Sequence, residues 1–405
     1  MHILCLTSRL PYPPNRGDRL RAFHFLKHLS RQHELTLASF IADEPERDHV
    51  APLQAFCKDV HIVPMSPRRS ALSAGANIWR REPLQLLYYR LPAMRRLLAE
   101  LVATNSFDAA YVHLFRMAPY VVDYPELYRI VDLTDVISKE ISLSLPFRGL
   151  ASQLVYGIEK RRIARYEQWV ARTFEETWLI SEADWQLLAP ACPSANIQVV
   201  PNGVDFSQFY PTGQDCQPNS LIFVGHLGVF HNIDAATHLA TNLLPLVREQ
   251  IPGCTLSIVG AEPDPQIQRL GQEPSVTVTG FVPDLNEYLN RAAVFVAPLR
   301  FAAGIQNKVL EAMAAGTPVV TTSLINEGLG ARPDHDLLVA DDAASTVRKV
   351  VFLLQHEQRR EQIARAGCEF VRRKYSWNHV VDRVEAIENT LAQGRDLGPH
   401  GAGPS

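Results

Sequence analysis

One pattern constrains the fold of this 405-residue chain more than any other, and it occurs twice. Short apolar runs rich in β-branched residues alternate with stretches whose apolar residues repeat at helical spacing, with Gly, Pro or Asn turns between them. Such alternation is typical of a parallel sheet covered by helices. We therefore predict an α/β protein with two Rossmann-like, doubly wound domains that face each other across a cleft.

The first series of predicted strands occupies residues 3–6, 34–40, 60–63, 109–112, 128–131 and 177–180. A sharp turn follows, because neither a helix nor a central strand continues through Pro201 and the Asn202-Gly203 pair. The second series occupies residues 221–224, 256–259, 276–279, 294–297, 319–322 and 337–339. We place the domains at 1–195 and 196–375, followed by a helix at 376–392 that can pack back on the first domain and a disordered tail at 393–405.

Composition excludes several classes of protein. A formal charge of −3 argues against a nucleic-acid partner, and 46% hydrophobic residues exclude a disordered chain. The six cysteines form no zinc-binding spacing. The amino terminus lacks both a basic region and a long apolar stretch, and no run of 18 apolar residues follows it, so we expect a cytoplasmic protein.

Basic residues concentrate in one part of the first domain. Residues 51–100 contain three adjacent arginine pairs, and the amphipathic helix predicted at 150–173 carries Lys160, Arg161, Arg162 and Arg165. A solvated basic face explains this pattern, and so does attraction to an anionic substrate or to the inner face of an anionic membrane. The sequence leaves these explanations open.

The stretch most informative about function lies at 303–320. A strand ends at Pro298, a glycine-containing loop follows, and a short helix starts near Asn307. Backbone N–H groups at a helix start favour an anion, and Lys308 adds a positive charge there. Glu311 lies one turn further on, where a carboxylate can accept hydrogen bonds from a ribose diol. A simple surface pair between Lys308 and Glu311 is the alternative.

Four motifs in order and at matching spacing carry a family resemblance. They are VPNGVD at 200–205, FVG at 223–225, VTGFV at 278–282 and LEAMAAGTPVV at 310–320. With them the sequence resembles the retaining nucleotide-sugar glycosyltransferases of the GT-B fold, specifically family GT4. The variant GIQNK at 304–308 resembles a bacterial subgroup associated with exopolysaccharide and surface-glycan biosynthesis.

The resemblance assigns roles at the donor site. Glu311 matches the second Glu of the family's E-x7-E motif and would bind the donor ribose, whereas the position of the first Glu holds Ala303. The family's basic pair is replaced by His226 and by His231-Asn232, so Lys308 would supply the missing charge. The donor-binding residues expected on this basis are Asn202, Gly225, His226, Gly280, Val282, Gly304, Ile305, Gln306, Asn307 and Glu311.

The first domain holds the remaining candidates. Arg16 and Gly17 lie in the loop after the first strand, where the family approaches donor phosphate or acceptor; a simple turn glycine is the alternative. His113 follows a strand, as a family histidine near the reacting sugar does, and together with Lys308 it is our catalytic candidate. Asp132 and Asp135 could contact acceptor hydroxyls, or Asp135 could cap a helix.

We find no DxD sequence or His/Asp cluster that predicts a divalent metal, and we expect no cofactor besides the donor substrate. The resemblance implies transfer of a sugar, with retention, from a nucleotide-diphosphate sugar to a hydroxyl acceptor such as a lipid-linked glycan or an exopolysaccharide precursor. A weakly active or inactive nucleotide-sugar-binding protein and a nucleotide-sugar epimerase are the alternatives. A dehydrogenase is disfavoured because residues 225–228 do not continue into G-x-G-x-x-G.

Overall fold

The computed structural model describes residues 1–14, 17–42, 44–302 and 304–380. In these ranges the strands form two parallel sheets, one in each half of the chain. The predicted fold class, two Rossmann-like α/β domains, is confirmed. Every predicted strand is present, and the first sheet gains a short strand at its far edge, Ile197–Val199.

The first sheet has the order β3-β2-β1-β4-β5-β6-β7. Its strands are β1 His2–Thr7, β2 Glu34–Ile41, β3 Asp59–Pro64, β4 Ala109–His113, β5 Tyr128–Thr134, β6 Glu176–Leu179 and β7 Ile197–Val199. Successive side chains of a strand point to opposite faces of the sheet. Ile3 and Cys5 accordingly belong to one apolar cluster and Leu4 and Leu6 to another, so both faces of this sheet are buried.

The second sheet has the order β10-β9-β8-β11-β12-β13, which repeats the doubly wound arrangement. Its strands are β8 Gln217–Val224, β9 Thr255–Val259, β10 Val276–Val278, β11 Ala292–Ala297, β12 Val319–Thr321 and β13 Leu338–Val339. All six residues of β11 are buried, as expected for a central strand covered on both faces.

Helices connect the strands of both sheets. Those of the first domain are α1 Gly17–Leu29, α2 Ala51–Gln54, α3 Pro67–Ala76, α4 Leu84–Tyr88, α5 Pro92–Thr104, α6 Ile137–Ser144, α7 Leu150–Thr173 and α8 Glu182–Leu188. Those of the second domain are α9 Phe230–His238, α10 Leu244–Gln250, α11 Pro265–Leu270, α12 Leu285–Arg291, α13 Asn307–Ala314, α14 Ser323–Leu329, α15 Ala343–Gln355 and α16 Glu357–Lys374. A single π-helical turn, Leu239–Leu243, joins α9 to α10.

The chain passes between the sheets twice. The first passage runs through residues 200–216, a few residues after the predicted boundary, because β7 still pairs with β6. After α16 the chain returns, and Trp377 and Val380 pack in the apolar cluster of the first domain. Gly203 lies against Trp377, where a Cβ atom would approach the indole ring to 2.5 Å. The rest of the helix predicted at 376–392, and the tail predicted at 393–405, lie outside the described residues.

Candidate active site

The two switch points, where the strand order of each sheet reverses, supply the site. In the first domain this point lies between β1 and β4, and in the second between β8 and β11. Open parallel sheets bind ligands outside the carboxyl ends of the strands at such points. His113 ends β4, the 225–229 loop follows β8, and α13 begins after the loop that follows β11.

Contacts between the domains occur beside these loops. An ideal Cβ on Gly17 would lie 3.6 Å from the Asn307 side-chain nitrogen, so the start of α1 meets the start of α13. His231 of α9 forms an ion-pair contact of 3.7 Å with Glu140 of α6. The predicted site residues of the two domains therefore border one interdomain region.

Lys308 is buried at the start of α13. Its Nζ donates a hydrogen bond to Oδ1 of Asn232. Asn232 in turn donates to the backbone carbonyl of His226, 3.0 Å away, and Gly225 lies against the same amide. Lys308 thus joins α13 to the loop after β8, where the sequence predicts a donor phosphate. Its hydrogen-bond partner is a neutral amide and does not compensate the ammonium charge.

Glu311 lies one turn after Lys308 on α13 and is partly exposed. Burial lowers the pKa of Lys308 to about 7, and the nearby Glu311 charge opposes this shift. Burial also raises the pKa of Glu311 to about 7, opposed by the Lys308 charge. Both groups therefore change charge near neutral pH, which proteins commonly arrange at functional sites.

These shifts predict a pH dependence of nucleotide binding. Lys308 is charged below about pH 7 and neutral above it, so a diphosphate loses its cation as the pH rises. We expect the affinity for a nucleoside diphosphate to fall up to about tenfold per pH unit between pH 7 and 9, with proton uptake on binding. Isothermal titration of UDP, GDP and ADP in buffers of different ionisation enthalpy measures both quantities. An affinity that is constant from pH 7 to 9 would contradict the assignment.

His113 lies at the end of β4 in the first domain, whereas Lys308 and Glu311 lie in the second. It is buried, and its Nδ1 is 3.5 Å from Oδ2 of Asp132. The same oxygen accepts hydrogen bonds from Nε of Arg21 at 2.6 Å and from the Tyr111 hydroxyl at 2.7 Å. Burial acts to raise the pKa of Asp132, but Arg21 and His113 hold the pKa well below its usual range.

The two predicted acceptor contacts lie in different surroundings. Asp132 has no exposed surface, and Arg21 and Tyr111 both donate hydrogen bonds to its carboxylate. The Asp132 carboxylate is therefore placed to hold Arg21 rather than to meet an acceptor hydroxyl. Asp135 is half-buried and does not cap a helix, since Val136 holds the cap position of α6. Burial, with the charges of Asp184 and Glu140, raises the pKa of Asp135 well above its usual value.

Asp135 lies against the loop that precedes α13. A Cβ atom on Gly304 would lie 1.6 Å from Oδ1 of Asp135, and Gly304 has a positive φ of 61°. Only glycine satisfies both the contact and the backbone conformation without strain. This carboxyl group of the first domain is therefore beside the predicted donor loop.

The other predicted donor residues are distributed around this region. Asn202 is buried and donates from Nδ2 to Oδ1 of Asn307 at 2.9 Å. His226 lies in the loop after β8, and its Nε2 is 3.4 Å from a carboxylate oxygen of Glu262. Four others lie in the loop before α13 and the loop after β10. Ile305 packs in the core and Gln306 is the N-cap of α13, whereas Gly280 forms a turn with a positive φ and Val282 packs against the core. Arg16 and Ala303 lie outside the described residues.

Two residues of this region were not anticipated. Arg21 is fully buried between the sheets, and Tyr111 of β4 shares its carboxylate partner. Arg21 does carry a sequence signal, since it stands four residues before Phe25 on the apolar face of α1. A lone charge on such a face indicates a buried ion pair.

Two features are absent from the described part of the chain. None of its helices is long and apolar enough to cross a bilayer. None of its His, Cys, Asp and Glu side chains gather in a group of three or more suited to a metal ion.

Comparison with known proteins agrees with this geometry. Residues 218–356, which include β8, the following loop and α13, match the family model described as "Glycosyl transferases group 1". This part of the chain is therefore similar to the group 1 glycosyltransferases. The match covers the donor-side candidates Gly225, His226, Lys308 and Glu311, which the sequence resemblance had singled out.

The relatives of this chain are distant. A phosphatidyl-myo-inositol mannosyltransferase of Mycobacterium leprae is 29% identical over 215 residues, which are 51% of this chain and 56% of that protein. The chain thus spans about half the length of that relative. An uncharacterized 44.6 kDa protein in the cps region of Klebsiella pneumoniae is 21% identical over 398 residues, covering 94% of this chain and 98% of that one.

Solved structures show the fold of this chain. Anabaena HepE, crystallised in complex with UDP and glucose, superposes with a TM-score of 0.67. The superposition covers 96% of this chain and 100% of that one, at 13% sequence identity. The two-domain GT-B fold predicted from the motifs is confirmed.

Proposed function

We propose that the chain transfers a glycosyl group from a nucleoside-diphosphate sugar to a hydroxyl acceptor. The observation that carries this proposal is Lys308, a buried lysine at a helix start whose hydrogen-bond partner is neutral. Burying this charge is costly, the nearby Glu311 offsets that cost only in part, and an anionic ligand at the same place offsets more of it. A diphosphate between the start of α13 and the loop after β8 meets this requirement.

Each side of the cleft then has a role in the transfer. As the bond between sugar and diphosphate breaks, negative charge grows on the leaving phosphate, and Lys308 with the N–H groups at the start of α13 stabilises it. Glu311 accepts hydrogen bonds from the ribose, and the turn at Gly280–Val282 is placed for the nucleobase. His113 of the first domain faces the reacting sugar. The acceptor attacks on the face that the nucleotide leaves, so configuration is retained.

The similar proteins support this proposal in part. Anabaena HepE, whose fold this chain shares, was crystallised with UDP and glucose, so a UDP-sugar is the first donor to test. The Klebsiella protein in the cps region matches 94% of this chain but is uncharacterized, so the proposed role in exopolysaccharide formation rests on the GIQNK variant at 304–308. The mycobacterial relative is a phosphatidyl-myo-inositol mannosyltransferase, which supports a lipid-linked acceptor.

A donor screen tests the proposed reaction. The purified chain is incubated with nucleotide sugars of each base, with and without lipid-linked glycan acceptors, and the released nucleoside diphosphate is measured. Acceptor-dependent release, with an anomeric signal of unchanged configuration in the product, is expected. Binding without release would favour the alternative of a nucleotide-sugar-binding protein. An epimeric nucleotide sugar formed without an acceptor would favour an epimerase.

An exposed face of the first domain supports a membrane-associated acceptor. Six large apolar side chains on α3, the residues after it and the first half of α7 are 46–81% exposed: Leu72, Ile78, Trp79, Leu150, Leu154 and Ile158. Arg162 of α7 donates to the Ile78 carbonyl at 2.7 Å, which places these elements side by side. We call this surface the apolar-basic face.

Exposed arginines border this face: Arg68, Arg69, Arg80, Arg81, Arg161 and Arg165. Leu150, Leu154 and Ile158 recur every four residues, so they lie on one side of α7. An apolar stripe flanked by arginines complements an anionic bilayer, with the apolar groups among the acyl chains and the arginines at the phosphates. We propose that this cytoplasmic chain docks with this face on the inner surface of the membrane.

Vesicle flotation tests the docking. We expect the chain to float with vesicles rich in phosphatidylglycerol at low salt, and less at high salt. Changing Leu154 and Ile158 to glutamate should lower the bound fraction by about tenfold or more, because burying each such side chain contributes roughly 1.5–3 kcal/mol. Leu246→Glu, on α10 of the second domain, is the matched control. Dimerisation through the face without flotation would contradict the proposal.

A further inference from the structure

A continuous series of polar side chains, all buried except the half-buried Asn307, runs from the first sheet to the second. We call it the Arg21 chain, and its members in order are Asp132, Arg21, Asn202 and Asn307. Arg21 donates from Nε to Asp132 at 2.6 Å and from Nη1 to Oδ1 of Asn202 at 2.9 Å. Asn202 then donates to Asn307 at 2.9 Å.

Each member belongs to a different part of the fold. Asp132 lies on β5 beside His113, and Arg21 lies on α1. Asn202 lies in the passage between the sheets, and Asn307 is the first residue of α13, next to Lys308. The series therefore connects the candidate catalytic histidine to the predicted phosphate site through the interdomain passage.

Three members of the Arg21 chain are shielded from water. Arg21 and Asp132 have no exposed surface, and Asn202 is 3% exposed. When one partner of such a buried hydrogen bond moves away, the polar group left without a partner destabilises the fold. The buried members of the series therefore favour one arrangement of the two domains. The guanidinium group donates in two fixed directions, to a carboxylate of the first domain and to an amide of the passage. A lysine has one ammonium group and does not reproduce both directions.

We infer that Arg21 is a positioning residue, which fixes the second domain, and with it the start of α13, relative to His113. The inference rests on the proposed transferase function for its kinetic consequence, whereas its structural consequence does not depend on activity. Loss of the hydrogen bond from Arg21 to Asn202 should let the domains separate. The phosphate of the sugar donor and His113 would then no longer lie at the distance that transfer requires. Misplacement of this kind affects turnover more than binding, because the proposed diphosphate and ribose contacts, on α13 and in the loop after β8, belong to the second domain.

Arg21→Lys tests the inference, with Arg129→Lys as the matched control. Arg129 is also a buried arginine of the first domain, and it donates to Glu175 and to two backbone carbonyls away from the cleft. We expect Arg21→Lys to lower kcat at least tenfold with less than a threefold change in donor KM, and Arg129→Lys to change neither. Small-angle scattering should show a larger radius of gyration for Arg21→Lys alone.

Equal kcat and equal radius of gyration in the two variants would overturn the inference. If Arg21→Lys does not fold, Asn202→Ala interrupts the same series on the other side of Arg21, and unchanged kcat and radius in that variant would equally overturn it. If the wild-type chain transfers no sugar, the proposed function fails, and the scattering comparison still decides whether the Arg21 chain holds the domains together.

Discussion

Lys308→Met is expected to lower kcat by about 10²–10³-fold while the chain still folds. Removing a single group that stabilises charge in the transition state typically has an effect of this size. Lys308 is the cation that joins α13 to the loop after β8, where the leaving diphosphate is proposed to lie. Nearby, His226 and His231-Asn232 stand where the resemblance places the family's basic pair, so there the missing ammonium group has no permanently charged substitute.

The fold should tolerate this change because methionine fills a similar volume without a charge. Replacing a buried charge by an apolar group of similar shape is often neutral or stabilising. Steady-state kinetics with the donor identified in the screen, together with thermal unfolding, separates the two effects. Lys349→Met is the control, since Lys349 lies on α15, outside the site, and pairs there with Asp334. A kcat within threefold of wild type would refute the role of Lys308.

Asp132→Asn is expected to lower the free energy of unfolding by about 3–5 kcal/mol, because breaking a buried ion pair leaves its other charge uncompensated. Arg21 and Asp132 are both fully buried, and the other side chain to which Arg21 donates, Asn202, is a neutral amide. The pKa of Asp132 is depressed in the folded state. The stabilisation is therefore present above the ordinary carboxyl pKa and is lost as the pH falls below it.

Urea denaturation at pH 7 measures this loss. Asp234→Asn is the control, since Asp234 pairs with the exposed Arg300 at the surface and should cost about 0–1 kcal/mol. At pH 7 the two variants should therefore differ by roughly 2–5 kcal/mol. Similar losses in both would show that the Arg21–Asp132 pair is worth no more than a surface contact.

Features that depend on neighbouring residues were predictable from the sequence. The strands follow from short apolar runs, and the donor side follows from one stretch, in which Asn307, Lys308 and Glu311 share a helix. The helix predicted at 150–173 has these same bounds in the structure, because its apolar spacing is continuous. β7 was missed because a three-residue strand at a sheet edge carries little periodicity.

Features that depend on distant residues were less accessible. Arg21 and Asp132 are 111 residues apart, and only the strand order brings them together. Asp132 follows a buried strand, which suggested contact with an acceptor, yet the arginine on α1 reaches it first. The burial of Lys308 also depends on tertiary packing, because Asn232 belongs to α9 and Phe223 to β8.

The return of the polypeptide after α16 limits how this protein can be dissected. Trp377 follows the second domain in sequence but stacks on His24 of α1, with ring centroids 4.4 Å apart, and meets Phe25 edge-on. A fragment that stops at residue 199 would expose this aromatic surface and should aggregate on expression. A fragment that begins at residue 200 would carry an unsheltered tryptophan. Recombinant work on separate halves therefore requires residues 376–380 to be joined to the amino-terminal piece by a linker.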